Sequence, residues 1–312
     1  MSQKKIALLF PGQGAQYAGM GKALYETYPL IKEIFEEGDE TLKMPLSKVI
    51  LEGPDEELTR TSISQPAIYL FSIAIFKLIQ KLFPAIQPEF AAGLSLGEYS
   101  ALAAAGFLDP FEGLKLVAAR GSYMSQACER HPGAMAAVLG LSQKEIETLV
   151  KESHLPNDLW AANFNAPGQT VISGTKAGVE KGIHLAKEKG AKKAIPLKVH
   201  GAFHSGLMRS AQAPLKEKVE AVSLLSGTAK VVMNASAKPF DTPQELKKLM
   251  VDQIVMPVRW QESIECLDQN GVDLYLELGC GKTLAGLNKR IGVKGETVSI
   301  ETPEALEQLE NL

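Results

Sequence analysis

Short apolar runs alternate with amphipathic stretches along this 312-residue chain, the pattern of an α/β protein. IALLF at 6–10, PEFAAG at 88–93, KVVMN at 230–234, DLYLEL at 273–278 and TVSI at 297–300 are the predicted strands of the larger part. Helices are predicted around them, among them QPAIYLFSIAIFKLIQKL at 65–82 and PFEGLKLVAARGSYMSQACE at 110–129. The first is apolar over most of its circumference, so its expected place is inside the core beside the sheet.

The middle of the chain follows a different order. From Gly133 it reads strand AMAAVLG, helix SQKEIETLVKES, strand DLWAANF, strand QTVISG, helix TKAGVEKGIHLAKEKG, strand KKAIPL. That is β-α-β-β-α-β, the order of a ferredoxin-like unit. The expected organisation is a large α/β domain, residues 1–131 and 199–312, with a ferredoxin-like small domain, 132–198, inserted in it. An insertion beside a strand-to-helix turn makes a cleft, and clefts between domains are favoured ligand sites.

Composition narrows the function classes. The formal net charge is −3 and no basic run stands out, which gives nucleic-acid binding no support. MSQKKIALLFPGQG passes from two lysines into only five apolar residues, too few for a signal-peptide core, so it reads as a first strand. AIYLFSIAIF at 67–76 is stopped by Lys77, short of a membrane span. Three scattered cysteines, Cys128, Cys266 and Cys280, offer no disulfide framework, and Cys128 with His131 lacks the second pair a metal site needs. The expectation is a cytoplasmic protein with no metal and no membrane partner, and a monomer by default.

The candidate chemistry centres on GLSLG, where Gly93, Ser95 and Gly97 form G-x-S-x-G between a predicted strand and the helix-prone EYSALAAAGFL. A turn that tight strains the serine backbone and leaves no room for flanking side chains, while exposing the hydroxyl above the sheet. Read alone, the pattern fits a nucleophile or a plain capping serine equally well. Of five histidines, His131, His154 and His184 have polar, surface-like surroundings. His204 precedes a helix that Ser205 is placed to cap, and an imidazole at a helix N-terminus stays neutral and able to accept a proton. His200 is a reserve candidate.

LFPGQGAQYAGMG bends sharply after the first strand, and Gln13 lies between two glycines, so its backbone N–H is open to a ligand oxygen. A dinucleotide fingerprint would need glycine at Tyr17, and a phosphate loop in ELGCGKT would need it at Leu276, so both are rejected. Arg120 shares a helical face with Leu116, Val117 and Met124. A guanidinium on such a face must find an anion, either a structural carboxylate or a substrate carboxylate held bidentately.

Taken together, PGQGAQ (11–16), GLSLGEYSAL (93–102), VAARG (117–121), NFNAPGQTVISG (163–174), GAFHS (201–205) and QIVMPVRW (253–260) resemble the malonyl-CoA:acyl carrier protein transacylase family of bacterial fatty-acid synthesis. The likeness runs from residue 6 to about 290. It implies an α/β-hydrolase-like core with a parallel sheet and a ferredoxin-like insertion. It implies Ser95 as nucleophile, His204 as base, Arg120 as the grip on the malonyl carboxylate, and backbone N–H groups of Gln13 and Leu96 as the oxyanion hole. Gln253 takes the position whose main-chain carbonyl orients the histidine, and Phe203 the position that goes with malonyl over methyl-branched substrates. Malonyl-CoA and acyl carrier protein are the implied partners, and no cofactor is implied beyond the coenzyme A of the substrate. Leu94 departs from the histidine usual in the family's G-H-S-x-G, and Cys280 from its usual LELGPGK. Lys192, Lys193 and Lys198 are candidates for an acidic carrier surface, or for plain solubility. Two alternatives use the same residues: a serine thioesterase or esterase with water as acceptor, and a non-catalytic carrier-binding subunit in which Leu94 marks a decayed elbow.

Overall fold

The strands β1 (Ile6–Phe10), β2 (Phe90–Gly93), β7 (Lys230–Met233), β9 (Leu274–Leu278) and β10 (Glu296–Ile300) form one sheet, in a computed structural model that describes residues 4–199 and 201–311. Between β2 and β7 the chain makes β3 (Ala134–Leu139), β4 (Leu159–Ala166), β5 (Gln169–Gly174) and β6 (Lys193–Pro196), and after β7 a short β8 (Lys238–Phe240). The larger sheet has the order β10-β9-β1-β2-β7-β8, parallel throughout except that β8 returns antiparallel on β7. Every residue of β1, β2 and β9 is buried, as expected of parallel strands covered on both faces.

The two faces are read alternately along β1. Ile6, Leu8 and Phe10 enter one apolar cluster with the helices Thr61–Leu82 and Pro110–Arg130, whereas Ala7 and Leu9 enter another with Ile264, Leu267, Leu284 and Leu287. The Thr61–Leu82 helix is longer than its apolar run suggested. Its 22 residues are the one stretch, among the described residues, long and apolar enough to cross a membrane, but 83% of its most apolar window is buried inside the protein. It is a core helix of the sheet.

The second sheet, β4-β5-β3-β6, is antiparallel throughout. The helices Gln143–Glu152 and Lys176–Glu188 cover one face of it through Ala136, Val138, Ile146, Leu149, Ile172 and Val179. Met135 and Val171 turn to the opposite face. That sheet is tied back to the larger part where Val258 N–H donates to Ala162 O at 2.8 Å and Phe164 N–H donates to Val258 O at 2.9 Å.

Candidate active site

Ser95 sits between β2 and the helix Gly97–Ala104 with φ +54°, the left-handed region. A non-glycine residue held there costs about 1–3 kcal/mol and persists only when its surroundings enforce it. They do so through the two glycines. A Cβ on Gly93 would overlap the backbone of Gly97, and one on Gly97 would overlap the carbonyl of Phe10. Strand, turn and helix therefore pack against one another at distances only hydrogen atoms permit, and the hydroxyl is thrust out beyond the C-terminal ends of β1 and β2.

His204 meets it from the segment between β6 and the turn Gly206–Met208. Ser95 Oγ lies 2.8 Å from His204 Nε2, and His204 Nδ1 lies 2.9 Å from the main-chain oxygen of Gln253. A carbonyl only accepts, so Nδ1 carries the proton and donates to it, which leaves Nε2 with a lone pair for the serine hydroxyl. The imidazole is buried, and its pKa falls from 6.5 to about 4, first because burial penalises the cation and then because Arg120 is near. The neutral state expected at this position is present, but its cause is different. Ser205 does cap the following turn, with Leu207 N–H donating to its Oγ at 3.2 Å, yet that turn is a single 3-10 turn before the helix Arg209–Ala221. Burial and the neighbouring cation hold the proton off, not a helix dipole.

Arg120 is fully buried, and among the described residues it forms no ion pair. Its guanidinium donates to amide oxygens instead: Nη1 to Gln65 Oε1 at 2.5 Å and Nη2 to Gln253 Oε1 at 2.8 Å. Nη2 also donates to Ser95 Oγ at 3.1 Å, and Nε has no partner among the described residues. Of the two anions considered for it, no structural carboxylate is in contact with it among the described residues. The charge is kept dry and uncompensated by direct contact, facing a cavity of about 560 Å³ lined by Gln13, Ser95, Arg120, Phe203 and His204 among others.

Gln13, on the bend after β1, and Leu96, the first residue after the serine, both border this cavity. Among the described residues neither N–H has a hydrogen-bond acceptor. Gln13 is held by its side chain, whose Nε2 donates to Thr61 Oγ1 at 3.2 Å. Phe203 is buried on the wall, and Leu94 stands half-buried at the rim. From the second sheet come Met135, Asn163, Asn165 and Val171, and Lys198 reaches the mouth. The reserve candidate His200 lies outside the described residues.

Three residues, and the side-chain role of a fourth, had no signal in the sequence. Gln65 and the side chain of Gln253 hold the guanidinium, Asn234 binds the backbone of Ser95, and Glu98 is a wholly buried carboxyl behind the elbow. Glutamine and asparagine at helix and strand ends carry no diagnostic spacing, so only the fold brings them in. Burial lifts the Glu98 pKa to about 8, against the lowering effects of the Asn234 N–H and Arg120.

A hydroxyl hydrogen-bonded to a neutral imidazole at the end of a parallel sheet, with residues carrying unpaired backbone N–H groups on the same cavity, is suited to acyl transfer through serine. The acyl transferase domain family is matched over residues 7–281, and the chain belongs to that family. Over 304 residues it is 45% identical to the malonyl CoA-acyl carrier protein transacylase of Bacillus subtilis (strain 168), covering 97% of this chain and 95% of that protein. Its fold is similar to that of the acyl-carrier-protein-S-malonyltransferase from Bartonella henselae, with a TM-score of 0.93, 37% identity and 98% of each chain covered. It is equally similar to a malonyl-transacylase solved in complex with its type II PKS acyl-carrier protein, with a TM-score of 0.94, 36% identity and 99% of this chain and 100% of that one covered.

Proposed function

We propose that this acyltransferase moves a malonyl group from coenzyme A to the phosphopantetheine thiol of acyl carrier protein, through a malonyl ester on Ser95. As the hydroxyl oxygen attacks the thioester carbonyl, its proton passes to His204 Nε2. The tetrahedral oxyanion accepts hydrogen bonds from the backbone N–H groups of Gln13 and Leu96, each worth about 3–4 kcal/mol in sites of this kind. The C–S bond breaks, and the departing sulfur takes the proton from the imidazolium. The carrier thiol then attacks the ester, and the same steps run in reverse. One thioester replaces another, so the exchange itself requires neither a nucleotide nor a metal.

The contact between Arg120 and the serine carries the case for a malonyl group. In that acyl group a single methylene separates the carboxylate from the carbonyl under attack. A guanidinium donating to Ser95 Oγ at 3.1 Å is placed for a carboxylate at that short remove, and for none much farther away. Its burial without a carboxylate partner favours an acid substrate over acetyl-CoA, which would leave the charge unpaired. The reading extends to the architecture: an α/β-hydrolase-like core, with residues 132–198 as a ferredoxin-like insertion, which the antiparallel order β4-β5-β3-β6 supports.

Mass spectrometry of the protein mixed with malonyl-CoA tests it. The expected result is a malonyl adduct on Ser95 that disappears when holo acyl carrier protein is added. Folded protein with no adduct, or free malonate released at full rate without the carrier, would refute the transfer.

A further inference from the structure

The serine elbow has a brace that lies outside its own motif. Asn234 follows β7, the strand beside β2, and is completely buried. Its Nδ2 donates to Gly93 O at 2.7 Å, while its Oδ1 accepts the Ser95 N–H at 2.7 Å. One planar amide thus closes a ring across Leu94 and fixes the peptide planes on both sides of it. The orientation of that amide is fixed in turn. Asn234 N–H donates to Glu98 Oε2 at 2.6 Å, and Asn234 O accepts Arg259 N–H at 3.0 Å. The far side of the serine is held as well, where Gln253 Nε2 donates to Ser95 O at 2.9 Å, and the same nitrogen lies 3.4 Å from Asn234 Oδ1.

We propose that Asn234 is a positioning residue whose side-chain amide locks Ser95 in the left-handed conformation that aims Oγ at His204 and Arg120. The proposal rests on Ser95 being the nucleophile of the transfer proposed above. Without the amide, the Ser95 N–H and Gly93 O are left buried and unpaired, and the turn relaxes toward the ordinary backbone region. Oγ then leaves the line to Nε2. Displacement by about 1 Å in such a site costs on the order of a hundredfold in rate. Asn234 is absent from the residues lining the cavity, so substrate binding is expected to survive.

The test compares Asn234→Ala and the isosteric Asn234→Asp with the wild-type chain. Aspartate retains the acceptor for Ser95 N–H but sets a carboxylate oxygen against Gly93 O. Three quantities are read: kcat, KM for malonyl-CoA, and the rate at which an uncharged fluorophosphonate labels Ser95. Both variants are expected to lose about tenfold to a hundredfold in kcat and in labelling rate, with KM within threefold of wild type. A folded variant that labels and turns over at the wild-type rate overturns the proposal, as does a loss confined to KM. If the alanine variant fails to fold, the aspartate variant decides by the same measurements. Labelling does not depend on the acyl group, so slower labelling of the variants supports the brace even if the wild-type chain proves to transfer something other than malonate.

Discussion

Arg120 Nη2 and Ser95 Oγ are 3.1 Å apart, which makes the cation and the hydroxyl parts of one site. Before substrate arrives, the guanidinium donates to the serine oxygen and to two side-chain amides. Amide oxygens satisfy its hydrogen bonds without neutralising its charge, so the site is left with an electrostatic demand that a carboxylate meets.

Arg120→Gln should therefore abolish selection for the acid. A hydrogen bond to a charged group is worth about 1.5–3 kcal/mol, so malonyl transfer should fall by about tenfold to a hundredfold or more, while transfer of acetyl groups holds or rises. Competition between malonyl-CoA and acetyl-CoA, scored as kcat/KM, measures this. A variant that keeps the wild-type preference refutes the role of Arg120.

Gln253→Glu tests the same demand from the other direction. It sets a carboxylate where Gln253 Oε1 now lies 2.8 Å from Arg120 Nη2, and it removes the N–H that supports Ser95 O. The main-chain oxygen that accepts from His204 Nδ1 remains. The internal ion pair should raise KM for malonyl-CoA by about tenfold or more. An unchanged KM would show that the cation does not hold substrate.

The pH dependence of labelling should betray the buried imidazole. With the His204 pKa lowered to about 4, the imidazole stays neutral well below 6.5. Labelling of Ser95 by an uncharged fluorophosphonate should hold from pH 7 down to 5 and fall as pH drops through about 4. Removing the Arg120 charge, the second cause of the lowering, should shift that limb upward. A limb at 6.5 in the wild-type chain would contradict the burial argument.

Glu98 predicts a slope in stability. A carboxyl whose pKa rises on folding, here from 4.5 to about 8, favours the fold fully below pH 4.5, and that contribution is lost as pH climbs through 8. The slope is at most about 1.4 kcal/mol per pH unit over that window. Glu98→Gln, which retains an acceptor for the Asn234 N–H, should flatten it. Urea unfolding at pH 6, 7 and 8 gives the comparison, and parallel curves for the two proteins would refute it.

Much of this was legible from pattern alone. IALLF is β1 residue for residue, and the other strands of the parallel sheet fall within two residues of their apolar runs, because buried parallel strands are written as continuous hydrophobic stretches. Ser95 was visible because its turn needs two glycines, a requirement written in the sequence itself. The neutrality of His204 was foreseen, but from a helix end, a local feature, whereas burial is a property of the finished fold. Asn234 and Gln65 were invisible for the same reason. Each is an amide whose role exists only because residues 139 and 55 positions away arrive beside it.

The spread of the site along the chain has a bearing on biosynthesis. Ser95 finds His204 109 residues later and the side chain of Gln253 158 residues later, and β1 waits for β9 to complete its pairing. A nascent polypeptide therefore carries an inert hydroxyl through most of its synthesis, and contacts of such long range close late and slowly. That topology keeps the hydroxyl without its imidazole until residue 204 has been made and folded beside it.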